Sequence, residues 1–314
     1  MAESAAPGIN VRFFDWRTAL SGRYDVLHIH WPEYLVRGEG KKDALAALIR
    51  VPLLARRIRR DKIAVVRTLH NLTPHEAGHR LEPKLTAMLS RTVHKNIALN
   101  RATELDESEQ PEVILHGDYI ERFSGIPRAQ QVDGRVLYFG LLRRYKGVDA
   151  LVSAFESAAD PSMSLRLVGR PQNQAMRDSV ARLSASDPRI TSDLRFVPDG
   201  DLVREVSQAQ LVVLPYREMH NSGSLLVALS LGRPVLTIDT PVNRSIQEEV
   251  GPGWIWLYEG DLTSDRLVSA LNEVRSLARA EGEVPQFDER DWASVGRKHR
   301  RVYEDAVRLA RGSR

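Results

Sequence analysis

Short, near-continuous runs of Val, Ile and Leu, each followed by a longer stretch with helical spacing, recur along the chain, and this alternation restricts the fold most. Such runs suit strands covered on both faces, and strand–helix alternation implies a parallel sheet. A first series reads as strand "YDVLHIHW" (24–31), helix 43–60, strand "KIAVVRTLHN" (62–71) and helix 82–94, then "KNIALN" (95–100) and "EVILHGDY" (112–119). The polar stretch "IPRAQQVDG" (126–134) marks a boundary. A second series begins at once with strand "RVLYFGL", helix "GVDALVSAFESA", strand "SLRLVG", helix "NQAMRDSVARL" and strand "DLRFVP". It continues with a helix over 201–209, strand 211–216, helix 222–232, strand "PVLTID" and the run "WIWLYEG". The tail, 291–312, is a long amphipathic helix pattern interrupted by a glycine. At 314 residues two domains are expected. They are drawn as 1–128 and 129–290, with 291–314 as a closing helix. Two doubly wound α/β units in series would face a cleft, with ligands beyond the carboxyl ends of their strands.

Composition excludes more than it selects. There is no cysteine, which removes disulfides, thiolate metal sites and cysteine nucleophiles. No run approaches the ~20 apolar residues of a spanning helix, and "MAESAAPGINVRFF" lacks a signal pattern. A cytoplasmic protein is expected. The net charge of +4 permits anionic ligands without demanding nucleic acid. Cations cluster in "RVPLLARRIRRDK" (50–62) among apolar residues at helical spacing, the pattern of a solvated helix face or of peripheral contact with the inner membrane face. No aromatic residue interleaves there, which argues against a single-strand nucleic-acid groove.

Polar clusters fall at the expected strand ends. After Phe139 and Gly140 come Arg143, Arg144, Lys146 and Gly147. After "VVLPYRE" come Asn221, Ser222, Gly223 and Ser224, opening a helix whose free N–H groups and dipole favour an anion. Each cluster alone has a plain alternative, a helix cap or a solvated loop. Together, at two strand ends of one sheet, they would hold a diphosphate. In the first series the strand ends carry histidines: His28, His30, His70 and His116. A zinc site is not expected, on the reading that His28 and His30 point to opposite strand faces.

The motifs "YFGLLRRYKGVDALVSAF", "LRLVG" and "ALSLGRPV", with a tryptophan-bearing closing helix, resemble a GT-B glycosyltransferase with two Rossmann-like domains. The likeness is to the nucleotide-sugar-dependent family-4 type, firm over 135–245, and the "NSG" form is similar to a short bacterial mannosyltransferase subgroup. The resemblance implies an N-terminal acceptor-side domain, a C-terminal nucleotide-sugar domain and a helix around Trp292 crossing back to the first domain. It implies a donor site of Gly140, Arg143, Lys146, Phe196, Val197, Asn221, Ser222, Gly223 and Ser224. Leu141 stands where the family writes arginine, so Arg143 would substitute. Of the two glutamates that relatives carry eight apart, the slots fall at Met219 and Val227, and Glu218 lies one residue off. His70 matches a histidine that reaches the transferred sugar, and His116 with Gly117 matches an "HG" turn. The catalytic set is therefore His70, Arg143, Lys146 and Glu218, and the acceptor side His30, His70, Asn71, His116 and Asp118.

The activity so implied is hexosyl transfer, expected with retention, from a nucleotide sugar to a saccharide or glycolipid. GDP-mannose is favoured and a UDP-sugar is the other donor considered. No tightly bound cofactor and no metal is expected, because cations can stabilise the leaving diphosphate. Inversion would instead need a base, with Asp118, Glu76 or His70 as candidates. The alternatives are a nucleotide-sugar epimerase and a non-catalytic binding relative.

Overall fold

The computed structural model describes residues 8–37, 41–70, 81–102, 111–216, 222–280 and 282–312. In chain order the elements begin α1 (Trp16–Ser21), β1 (Val26–Ile29), α2 (Pro32–Arg37), α3 (Lys41–Asp61), β2 (Ala64–Leu69), α4 (Glu82–Ser90), β3 (Lys95–Ala98) and β4 (Glu112–Val113). Next come α5 (Ile120–Phe123), β5 (Arg135–Phe139), α6 (Val148–Glu156), β6 (Ser164–Val168), α7 (Gln174–Ala185), β7 (Ile190–Asp193), α8 (Asp199–Gln208) and β8 (Leu211–Leu214). The chain closes with α9 (Gly223–Ser230), β9 (Val235–Ile238), α10 (Pro241–Val250), β10 (Ile255–Tyr258), α11 (Ser264–Ser276) and α12 (Trp292–Arg311). Two compact units result, Met1–Gly117 with Glu289–Arg314, and Asp118–Asp288.

The first unit is a parallel four-stranded sheet in sequential order, β1-β2-β3-β4. Right-handed crossovers between strands added in sequence put their helices on one face. That face packs Leu27, Ile29, Ile63 and Val65 against Val51, Leu54 and Ile58 of α3 and Leu85 and Leu89 of α4. The opposite face, Ala64, Val66, Ile97 and Ile114, is covered by α12 through Val295, Val302 and Ala306. The last helix thus supplies the layer that a second strand series would supply. Gly296 does not interrupt it: α12 runs unbroken, and Asp291 caps it by accepting from the Ser294 N–H at 2.8 Å.

The second unit is a six-stranded parallel sheet in the order β10-β9-β8-β5-β6-β7. Read from β7, it runs outward from the third strand to the first and then on from the fourth, the dinucleotide-fold order. Its reversal lies between β5 and β8, which pair Val136 with Leu211 and Leu137 with Val212. In open α/β sheets the ligand crevice lies at such a reversal, beyond the carboxyl ends of the two strands.

Several expected boundaries move. The strand expected at "DLRFVP" lies earlier: β7 is Ile190–Asp193, whose Ile190 pairs with Leu165. The "EVILHGDY" strand shrinks to Glu112–Val113. The unit boundary falls after Gly117, not near residue 128. The stretch that follows belongs to the second unit, where the Tyr119 N–H donates to Ser230 Oγ at 3.0 Å and the Ala129 N–H to Ser207 Oγ at 3.0 Å.

Candidate active site

At the reversal of the second sheet, β5 is followed by Gly140, with φ +122°, a value that disfavours side chains. A Cβ there would lie 3.1 Å from Ser224 Oγ, 3.8 Å from Lys146 Nζ and 3.9 Å from Tyr216 OH. Lys146 and Ser224, one from each of the two expected clusters, therefore meet around one backbone position. Arg144–Lys146 form a single 3-10 turn ended by Gly147 at φ +66°. A Cβ on Gly147 would overlap the Pro215 carbonyl oxygen, so glycine lets the β5 loop lie against the β8 loop. Across that contact the Lys146 ammonium donates to Tyr216 OH at 3.2 Å and sits 4.5 Å from its ring centroid.

The electrostatics suit an anion. Burial, then the Arg143 charge, holds the Lys146 ammonium below its ordinary range, and an arriving diphosphate would reverse that shift. The Arg143 Nε is buried and has no hydrogen-bond partner among the described residues. Ser222 caps α9, accepting from the Leu225 N–H at 3.2 Å, and the N–H groups of Gly223 and Ser224 belong to the first turn, which has no acceptor within the helix. Tyr119 OH lies 3.3 Å from where a Gly223 Cβ would stand. Tyr216 and Tyr119 are site residues that sequence reasoning missed. The strand-end position of Tyr216, in "VVLPY", was the available signal.

Other expected donor residues stand apart. Phe196 and Val197 do not end a strand; they lie in the loop between β7 and α8, with Phe196 72% exposed. Asn221, Glu218 and Met219 lie outside the described residues, as do Asn71 and Glu76.

The first unit gathers its histidines beyond β1 and β2. His30 Nδ1 and His70 Nε2 are 2.8 Å apart, and the His70 ring stacks on Trp31 at 4.6 Å. The expectation that His28 and His30 oppose each other is wrong. Period two puts residues two apart on the same face, and their rings stack at 4.4 Å. His28 is pinned at both nitrogens, by Tyr303 OH and Thr68 Oγ1, each at 2.8 Å. Burial keeps all of these rings neutral. His30 and His70 are lowered to about 4, and His28, His116 and His299 are lowered too. Among the described residues no group of three or more His, Cys, Asp or Glu is placed to hold a metal ion.

His116 donates from Nδ1 to the Gly117 carbonyl at 2.8 Å, and its own carbonyl accepts from Arg290 at 2.9 Å. A Cβ on Gly117 would lie 2.8 Å from the Trp292 ring, which explains the "HG" turn by packing. Asp118 is buried and accepts from the Ile120 N–H at 3.0 Å, so the first residue of the second unit serves a turn.

Residues 133–276 match the family described as "Glycosyl transferases group 1". The chain is 44% identical, over 95% of its length and 85% of the relative's, to the GDP-mannose:glycolipid 4-beta-D-mannosyltransferase of Xanthomonas campestris pv. campestris strain ATCC 33913. A second Xanthomonas campestris pv. campestris protein of the same name is 43% identical over the same shares. Among solved structures, Anabaena HepE in complex with UDP-glucose superposes with a TM-score of 0.59 at 16% identity, covering 95% of this chain and 79% of that one. The sucrose-phosphate synthase of Thermosynechococcus elongatus gives 0.56 at 16% identity, over 92% and 72%. The fold is that of GT-B glycosyltransferases, and the enzyme is a hexosyltransferase. With relatives 43–44% identical over nearly its whole length, the chain belongs to the group 1 glycosyl transferases.

Proposed function

We propose that the chain transfers mannose from GDP-mannose to a hydroxyl of a glycolipid. The observation that carries this reading is the meeting of Lys146 Nζ, Ser224 Oγ and the start of α9 around Gly140. Breaking the anomeric bond leaves negative charge on the β-phosphate. A half-buried ammonium and helix amides, fixed before reaction, stabilise that charge without reorganising. Arg143 adds a second cation, and in this reading they do the work a divalent ion does elsewhere. Phe196, exposed beyond β7, offers a face for the guanine base. The names of the 43–44% identical relatives support donor and acceptor.

Those names also specify a β linkage. A β-mannoside formed from an α-configured donor requires inversion, so we read the reaction as inverting, where the resemblance alone had implied retention. Inversion requires a base for the acceptor hydroxyl.

A glycolipid acceptor requires access to a membrane. Among the described residues no helix is long and apolar enough to cross one. Instead α3 exposes Leu45, Ile49 and Leu53 in one stripe, continued by exposed Arg56 and Arg60. Arg50 lies 5.7 Å over Trp16, whose ring meets Phe14 edge-on at 5.1 Å, and the neighbouring Phe13 is 93% exposed. Apolar side chains flanked by arginines suit peripheral binding to an anionic bilayer.

The test is to incubate the protein with GDP-mannose and a panel of octyl glycosides and to read GDP release and the product's anomeric signal. Acceptor-dependent GDP release with a β-mannoside is expected. Release independent of any acceptor, or epimerised donor, would contradict the reading.

A further inference from the structure

We propose that His30 is the general base of the transfer and that His70 is its positioning partner. The inference rests on the inverting reading above. A neutral imidazole carries one N–H and one lone pair. His30 Nδ1 is 2.8 Å from His70 Nε2, so one proton is shared along that line. When it resides on His30 Nδ1 and is donated to His70 Nε2, the lone pair of His30 falls on Nε2. That nitrogen has no hydrogen-bond partner among the described residues, and the His30 side chain is half-buried beyond the carboxyl end of β1. An open lone pair at the ligand edge of a parallel sheet, oriented through the ring's other nitrogen, is the arrangement a base requires.

The pair is held rigidly. His28 stacks on His30 and is itself fixed at both ring nitrogens, and Trp31 stacks on His70 with an interplanar angle of 13°. Among the described residues the titratable groups facing the pair are His28 on the same strand, His116 beyond β4, and His299 and Tyr303 on α12. All are neutral near pH 7, because burial lowers the imidazoles and raises the Tyr303 phenol to about 12. No fixed charge on these groups competes for the proton.

In the step, the acceptor oxygen bonds to C1 of mannose as its proton passes to His30 Nε2. The C1–oxygen bond to the β-phosphate breaks, and its electron pair leaves on GDP. His30 becomes an imidazolium whose Nδ1–H still donates to His70, and the proton returns to solvent after product release. A weakly basic imidazole serves because the attacking hydroxyl becomes strongly acidic as it bonds to the cationic sugar.

The experiment uses the full chain, GDP-mannose and an octyl glycoside on which the wild type is active. His30→Asn keeps a donor at the Nδ1 position toward His70 and removes Nε2. It should lower kcat by roughly 10²–10⁴-fold, with KM for GDP-mannose little changed and part of the rate restored by added imidazole. His70→Gln keeps an acceptor at the Nε2 position and should retain most of kcat, whereas His70→Leu should lose about tenfold or more and move the acid limb of the pH profile. An unimpaired His30→Asn overturns the assignment. So does a loss that imidazole leaves untouched and that tracks a fall in melting temperature. An α-linked wild-type product removes the inverting reading itself, whereas a β-linked product with an unimpaired His30→Asn removes only the base.

Discussion

Lys146 and Gly147 do different physical work one residue apart. Lys146 supplies charge within reach of Ser224, and Gly147 supplies the backbone turn that brings the charge there. Lys146→Met should remove a charge-assisted contact of about 1.5–3 kcal/mol and cut turnover roughly ten- to a hundredfold at saturating acceptor. Steady-state kinetics check it, and unchanged turnover would remove Lys146 from the site. Gly147→Ala would force a Cβ onto the Pro215 carbonyl at a positive φ, so both the melting temperature and activity should fall. At this scale the sequence was informative where a residue type has few uses, as with a Lys-Gly pair after an apolar run. Tyr216 escaped notice because a tyrosine after a strand is ordinary, and only the fold brings its hydroxyl to Lys146. His28 and His30 share one face by the alternation of the strand itself, a relation already legible in their spacing.

The elements were legible where they are central and blurred at edges. β5 and β8 are buried on both faces and read directly as apolar runs. β7 is an edge strand, "ITSD", pairing on one side with β6 and half-exposed, so neighbouring apolar residues in "DLRFVP" competed for the assignment. The reversal of strand order that creates the crevice is a matter of pairing between distant runs, which no local pattern contains. In the sequence the arginines and interleaved apolar residues of 50–62 mark α3, but its exposed apolar stripe starts earlier, at Leu45. Charging that stripe with Ile49→Glu and Leu53→Glu should abolish co-sedimentation with anionic phosphatidylglycerol vesicles while leaving GDP binding unchanged. Undiminished sedimentation would assign α3 to a solvated surface.

For the molecule as a whole, α12 closes the first unit by covering one sheet face. Deleting Glu289–Arg314 would expose Ala64, Val66, Ile97 and Ile114, so the first unit should lose its cooperative melting transition. The buried histidines set a pH limit on the same unit. Their folded pKa values lie below the ordinary 6.5, with His30 and His70 near 4, so the unfolded chain binds more protons between those values. Stability should be fully present above about pH 6.5 and fall progressively toward pH 4, as melting temperatures across that range would report. The most direct test of the donor site is calorimetric titration of the wild type and Lys146→Met with GDP and with GMP, which differ by the β-phosphate. Lys146→Met should weaken GDP binding roughly ten- to a hundredfold and leave GMP binding nearly unchanged. Equal weakening of both nucleotides, or of neither, would contradict a diphosphate held between the β5 and β8 loops.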